Sequence, residues 1–322
     1  MLEALNEFPQ GQHEASSYGQ QLSVFTAKAP RLLWFDRATN TQVLEDFPDA
    51  IDLKTTLLAS AVQRSEKQHS LAKDAQLGHS IGVALGAWLR SFLSWTSERG
   101  PARSSLRQAI AGNEPMRKLK HQITYDALVR VVSQFPGALG DRLPVLEEVQ
   151  AAAAAEFDKK PPADGAEEDD SWGIIHGDFW SGNILLPSDD KLKPDASTAQ
   201  QLFVVDWEFA QYGHRAYDIG QLIGDLIERD HFRGAKASLD VLAGFVSSYF
   251  PSGADDSFAF RVAIHTGVQL IGCFIRRAPR GPLPGTPEQV EQAIQLGTDF
   301  IVKGWTKDRA WLEKSVLAPL FK

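Results

Sequence analysis

The stretch Ile174-Ile175-His176-Gly177-Asp178-Phe179-Trp180-Ser181-Gly182-Asn183-Ile184-Leu185-Leu186 decides how this chain is read, and Phe203-Val204-Val205-Asp206-Trp207-Glu208 answers it downstream. Short runs rich in Ile, Leu and Val, bounded by Gly and polar residues, read as buried strands. Asp178, Asn183 and Asp206 therefore fall at strand ends, with Asp178 and Asn183 on opposite limbs of one tight loop. Gly177 and Gly182 give that loop backbone freedom that other residues lack, so both side chains can turn inward.

An Asn carbonyl beside a carboxylate is hard oxygen ligation, suited to magnesium retained on phosphate oxygens. Asn183 and Asp206 are thus the candidate metal ligands, and Asp178 is left to accept a proton from a substrate hydroxyl. Phosphoryl transfer divides its labour in this way. His176 reads as a hydrogen-bonded histidine that fixes the loop, because buried polar groups are satisfied. Asp218 precedes Ile219, Leu222, Ile223, Leu226 and Ile227, which places it at a helix N-terminus, where a carboxylate accepts backbone N–H groups.

His-Gly-Asp-x-x-x-x-Asn, the strand into Asp-Trp-Glu, and Tyr212-Gly213-His214-Arg215-Ala216-Tyr217-Asp218-Ile219-Gly220 resemble the aminoglycoside phosphotransferase and choline kinase family. The Glu208 to Gly213 and Asp218 to Gly220 segments are also similar to methylthioribose kinases. The resemblance implies an α+β, protein-kinase-like two-lobed fold, ATP or GTP as co-substrate, magnesium as cofactor, and a small hydroxylated molecule as partner. It further implies that Asp218 braces the catalytic loop. Residues 31 to 46 read as a strand, turn, strand hairpin around Ala38-Thr39-Asn40; in the resembled family Glu45-Asp46-Phe47 then falls at the hinge that holds the nucleotide base by its backbone. The expected division is a partial N-terminal lobe over 1–48 and a helical C-terminal lobe over 49–322.

The family's small lobe carries a phosphate-covering loop, a lysine and a helix before that hairpin. Only about thirty residues stand there, too few for three strands and a helix, and the first lysine is Lys28. The expectation is an incomplete small lobe without the Gly-rich loop and phosphate-gripping lysine, from an internal start or a natural loss. An exposed hairpin edge would then invite pairing with a second copy.

Composition narrows the alternatives. The 322 residues are 43% apolar and 23% charged, ordinary for a globular chain, and the net charge of -8 with scattered Lys and Arg argues against a nucleic-acid binder. Cys273 is the single cysteine, so no internal disulfide or cysteine zinc site forms and a reducing, cytoplasmic setting is expected. No leader or membrane span is read, since the most apolar helical stretches carry Arg90 or His265. Leu77, Ile81, Leu85, Trp88, Phe92 and Trp95 stripe one long helix. Tyr125 to Phe135, Leu143 to Phe157, and two closing helices through Phe260 to Phe274 and from Thr286-Pro287 onward follow. Lys159 to Asp170 and Pro187 to Gln201 read as polar surface loops, and Glu228, Asp230 and His231 as an exposed helix end.

Other classes stand behind the kinase reading. A kinase relative serving as a binding or regulatory protein would keep the core without phosphate grip. A metal-dependent hydrolase would want more imidazole than His176 supplies. A serine hydrolase lacks the glycine that would precede Ser181 in a nucleophile elbow.

Overall fold

In the computed structural model, which describes all residues except 10–24, 67–70, 158, 163–168, 189–198 and 278–281, the chain opens with a short helix Leu2–Leu5 (α1) and a strand Phe25–Lys28 (β1). Leu32–Asp36 (β2) and Thr41–Leu44 (β3) form the expected hairpin, turning at Asn40 with φ 53°, and Ala50–Asp52 (β4) follows. A helical run comes next, comprising Leu53–Glu66 (α2), Leu71–Ser97 (α3), Pro101–Ala111 (α4), Glu114–Ile123 (α5), Leu128–Val132 (α6), Pro136–Leu139 (α7) and Leu143–Phe157 (α8). Trp172–Ile175 (β5), Ile184–Pro187 (β6), Gln200–Val204 (β7) and Gln211–His214 (β8) carry the loops between them. Ala216–Arg233 (α9), Ala237–Tyr249 (α10), Asp256–Arg277 (α11), Pro287–Trp305 (α12) and Arg309–Leu312 (α13) close the chain. The architecture is α+β and kinase-like, with a small N-terminal sheet region and a large helical part.

One four-stranded sheet, ordered β1-β7-β6-β4, places the chemistry-bearing strand ends. β6 and β7 pair antiparallel with Ile184 opposite Val204, and the Val205 N–H donates to the Asn183 carbonyl at 3.0 Å. Asn183, which enters β6, and Asp206, which leaves β7, therefore emerge at the same end of the sheet. β5 pairs antiparallel with β8, setting Ile175 opposite Gln211 just before the loop begins.

The apolar stripe of α3 forms the core: Leu85, Trp88 and Phe92 are fully buried, each worth about 1.5–3 kcal/mol in transfer free energy. Helix α10 crosses α3 so closely that a Cβ on Gly82 would lie 2.0 Å from the Val241 carbonyl oxygen. Thr286 and Gln289 close a reciprocal capping box at the start of α12, with Pro287 in its first turn.

Several expectations change. The segment ahead of the hairpin contributes to the core: Phe25 and Ala27 are buried where β1 runs parallel to β7, and Phe8 packs its ring 5.2 Å from Trp95. The four-stranded sheet thus joins strands from both sides of residue 48. Tyr125 to Phe135 is not one helix, because Pro136 cannot continue a helix and starts α7 instead. Glu228, Asp230 and His231 are not a solvated helix end. Glu228 is 1% exposed, Asp230 pairs with Lys236, and His231 Nε2 bonds the Gln289 carbonyl oxygen. Half of the 159–170 segment and most of the 187–201 insertion lie outside the described residues.

Candidate functional site

The loop after β5 is shaped by two glycines for different reasons. Gly177 has φ +81°, and a Cβ there would stand 2.1 Å from the Phe209 carbonyl oxygen. Gly182 needs no left-handed backbone; a Cβ there would meet the Trp180 ring at 2.4 Å. Asp206, at φ 67° and ψ 62°, is a non-glycine in the left-handed region, a conformation that clusters at functional sites.

Helix α9 holds the loop along one face. Asp218 Oδ2 accepts the His176 N–H at 2.7 Å and its Oδ1 accepts the Gly177 N–H at 2.9 Å. One turn on, Gln221 Nε2 donates to Asp178 Oδ1 at 2.7 Å. A further turn on, Asp225 Oδ2 accepts the Ser181 N–H at 3.2 Å and bonds its hydroxyl, while Asp225 Oδ1 accepts Arg229 Nη2 at 2.6 Å. The spacing 218, 221, 225 is that of one helix face, so both limbs of the loop are pinned to a single rigid element.

Within the loop, Asn183 Nδ2 donates to the Asp178 carbonyl oxygen at 2.9 Å and to Asp178 Oδ2 at 3.1 Å. The amide nitrogen is committed to Asp178, which turns Asn183 Oδ1 to the opposite side of the amide. His176 is fully buried; its Nε2 donates to the Val205 carbonyl oxygen at 2.9 Å and its Nδ1 accepts the Asp178 N–H at 3.3 Å. That bond pattern defines one neutral tautomer tying the loop to the β7 exit.

Burial lowers His176 to about 4, keeping it neutral. Burial raises Asp178, but the Lys120 charge and the bonds from Gln221 and Lys120 outweigh it and hold the carboxyl below its ordinary value. Desolvation, then the Asp178 charge, raise Asp206. Burial pushes Asp218 to about 6 against its two backbone N–H partners. The carboxylate of Asp206 and the amide oxygen of Asn183, carried by the paired ends of β7 and β6, are hard oxygen donors of the kind that suits magnesium.

Asp178, Asn183, Asp206, His176 and Asp218 thus converge. Glu45, Asp46 and Phe47 stand at the far side of β7: Glu45 pairs with Lys28 at 2.7 Å, its N–H donates to the Arg31 carbonyl oxygen, and the Phe47 ring lies 4.5 Å from that of Phe203. Sequence reasoning missed Lys120, Gln221 and the Ser181–Asp225–Arg229 chain. Lys120 reaches Asp178 from α5 across 58 residues, with no spacing signal to announce it. The 218, 221, 225 periodicity on α9 was the one signal available for the others. Beside the loop lies a cavity walled by Lys120, Tyr125, Glu156, Trp172, Gly177 and Tyr217.

A sequence profile of the phosphotransferase enzyme family matches residues 20–249, most of the chain. The chain belongs to that family and is a small-molecule phosphotransferase, a class whose members use a nucleotide co-substrate. It is 28% identical over 308 residues to phosphotransferase FrzJ of Cladobotryum sp, covering 96% of this chain and 74% of that one. A 76-residue segment is 29% identical to 4-hydroxytryptamine kinase of Psilocybe cubensis, 24% of this chain and 20% of that protein. Among solved structures, a choline/ethanolamine kinase family protein from Mesorhizobium loti aligns with TM-score 0.43 and 12% identity over 88% of this chain and 78% of that one. A glucosamine kinase in complex with glucosamine, ADP and inorganic phosphate aligns with TM-score 0.42 and 19% identity over 84% and 65%. Among the described residues no helix is long and apolar enough to cross a membrane.

Proposed function

We propose that this chain transfers the terminal phosphate of ATP or GTP to a hydroxyl of a small metabolite. The observation that carries the reading is the arrangement of Asp178, Asn183 and Asp206 at one sheet end, with the Asn183 amide nitrogen turned to Asp178. Asp178 Oδ2 accepts the proton as the acceptor oxygen bonds phosphorus and the bond to the departing nucleoside diphosphate breaks. Asn183 Oδ1 and Asp206 would hold magnesium, which when bound offsets phosphate charge. His176 and Asp218 keep the loop in place for that transfer. Glu45, Asp46 and Phe47, beside Phe203, form the edge where the nucleotide base is held.

The cavity beside Lys120 and Gly177 is only about 40 Å³, and its one carboxylate, Glu156, is paired with Arg261, so it does not define the acceptor. The 76-residue likeness to proteins named 4-hydroxytryptamine kinases supports a small hydroxylated acceptor. Calorimetric titration with Mg·ATP tests the metal assignment. Binding that requires magnesium and weakens more than about tenfold in Asp206→Ala supports it. Magnesium-independent binding unchanged by that substitution would assign Asp206 to structure, and no binding at all would favour a non-catalytic relative.

A further inference from the structure

Lys120 enters the site from α5. Its ammonium lies 3.0 Å from Asp178 Oδ1 and 2.8 Å from Gln221 Oε1, and its side chain is 12% exposed. Because Gln221 Nε2 donates to the same Asp178 oxygen, three side chains from three elements close a ring. Helix α5 is itself anchored to the segment following Asp206: Asn113 Nδ2 donates to the carbonyl oxygens of Glu208 and Ala210, both at 2.9 Å. The Lys120 position is therefore fixed to both halves of the site at once.

The charge balance shows what a cation here would meet. Asp178, Asp206 and Asp218 bring carboxylates together, His176 is neutral, and a nucleoside triphosphate adds several negative charges. Phosphoryl transfer spreads charge over three equatorial oxygens, and its catalysis is mostly positioning and compensation of that charge. A fixed, largely desolvated ammonium does this far better than one free in water. Among the described residues, Lys120 is the cation placed in ion-pair contact with Asp178.

We propose that Lys120 is a catalytic cation: it clamps Asp178 Oδ1 at rest and contacts an oxygen of the transferring phosphoryl group during transfer. This deepens the phosphotransfer reading and rests on it. The acceptor oxygen–phosphorus bond forms, the bond from phosphorus to the bridging oxygen breaks, and the electron pair leaves with the nucleoside diphosphate. The acceptor proton passes to Asp178 Oδ2; Lys120 gives up no proton.

The test needs no acceptor. Wild type, Lys120→Met, Lys120→Arg and Gln221→Leu are titrated calorimetrically with Mg·ADP, alone and with fluoroaluminate, a planar stand-in for the transferring phosphoryl group. Fluoroaluminate is expected to tighten Mg·ADP binding by about tenfold or more in wild type. Lys120→Met should lose that gain while still binding Mg·ADP, with a lower melting temperature because Asp178 loses its cation partner; Lys120→Arg should keep part of the gain. Gln221→Leu should keep part of it, because the cation remains but loses one of its two anchors. Equal tightening in Lys120→Met and wild type overturns the Lys120 assignment and leaves phosphotransfer standing. A Lys120→Met protein that loses Mg·ADP affinity and thermal stability together reduces Lys120 to a structural part and also overturns the assignment. Failure of wild type to bind Mg·ADP, or to gain from fluoroaluminate, overturns the phosphotransfer reading itself.

Discussion

The Asp218 carboxylate accepts the Gly177 backbone N–H at 2.9 Å across 41 residues of sequence, while its other oxygen accepts the His176 N–H at 2.7 Å. Both amides sit in a turn whose Gly177 adopts φ +81°, so the acid satisfies two donors that regular structure leaves over. Asp218→Ala would strand both in a buried place. Hydrogen bonds to a charged acceptor are worth about 1.5–3 kcal/mol each, and the loss is expected to reach about 2–4 kcal/mol in urea unfolding. Turnover should fall with it, because the loop carrying Asp178 loses its anchor.

A second anchor depends on a buried ion pair. Asp225 and Arg229 meet at 2.6 Å with side chains 0% and 8% exposed. Removing one partner of such a pair leaves an uncompensated charge, so Asp225→Ala is expected to cost about 3–5 kcal/mol. Adding Arg229→Met is not expected to restore it, because Glu228, 1% exposed and 3.9 Å from Arg229, then loses its cation. Urea unfolding of the two single variants and the double variant gives the coupling directly.

The legible part of this molecule is its local chemistry. His-Gly-Asp with Asn five residues later needs a strand, a tight loop and a strand, and β5, the loop and β6 follow that order. The α3 stripe and the Thr286 cap were equally readable, since helical period and capping are local. What sequence could not supply was pairing at a distance. Nothing in Phe25–Lys28 announces a parallel partner at Gln200–Val204. Helices α4 and α5 passed unrecognised, and Lys120 with them, because a polar stretch such as Glu114–Ile123 has few apolar residues; α10, with its apolar Val241, Leu242, Phe245 and Val246, carried a pattern that went unread. Glu228 looked solvated for a similar reason: burial on α9 is set by α2, α10 and α11 packing around it.

Acid should destabilise the protein in a defined window. Burial lowers His176 to about 4, and burial with the Arg261 charge lowers His214 to about 3, whereas an unfolded histidine titrates near 6.5. Between those values the unfolded chain binds protons that the folded chain refuses, so stability falls as pH drops below 6.5, by about 1.4 kcal/mol per pH unit for each such group. Asp218 runs the other way. Raised by burial from 3.8 to about 6, it favours the folded state below pH 3.8 and loses that contribution as pH rises toward 6. The histidines outnumber it, and melting temperature is expected to drop between pH 6.5 and 5. His214→Phe should make that drop shallower, although it leaves the Ala216 N–H that His214 Nδ1 accepts without its acceptor and lowers stability at neutral pH.

The central claim is that Asp178 takes a hydroxyl proton during phosphoryl transfer. The most direct measurement is phosphorus NMR of wild type and Asp178→Asn incubated with Mg·ATP and a pool of small hydroxylated compounds. A new phosphate monoester is expected in wild type, with turnover lower by about 100-fold to 10,000-fold in Asp178→Asn, beyond the modest drop in melting temperature expected as Lys120 loses its carboxylate. A monoester formed equally fast by Asp178→Asn, or none formed by wild type from any acceptor while ATP and magnesium bind, would contradict that claim.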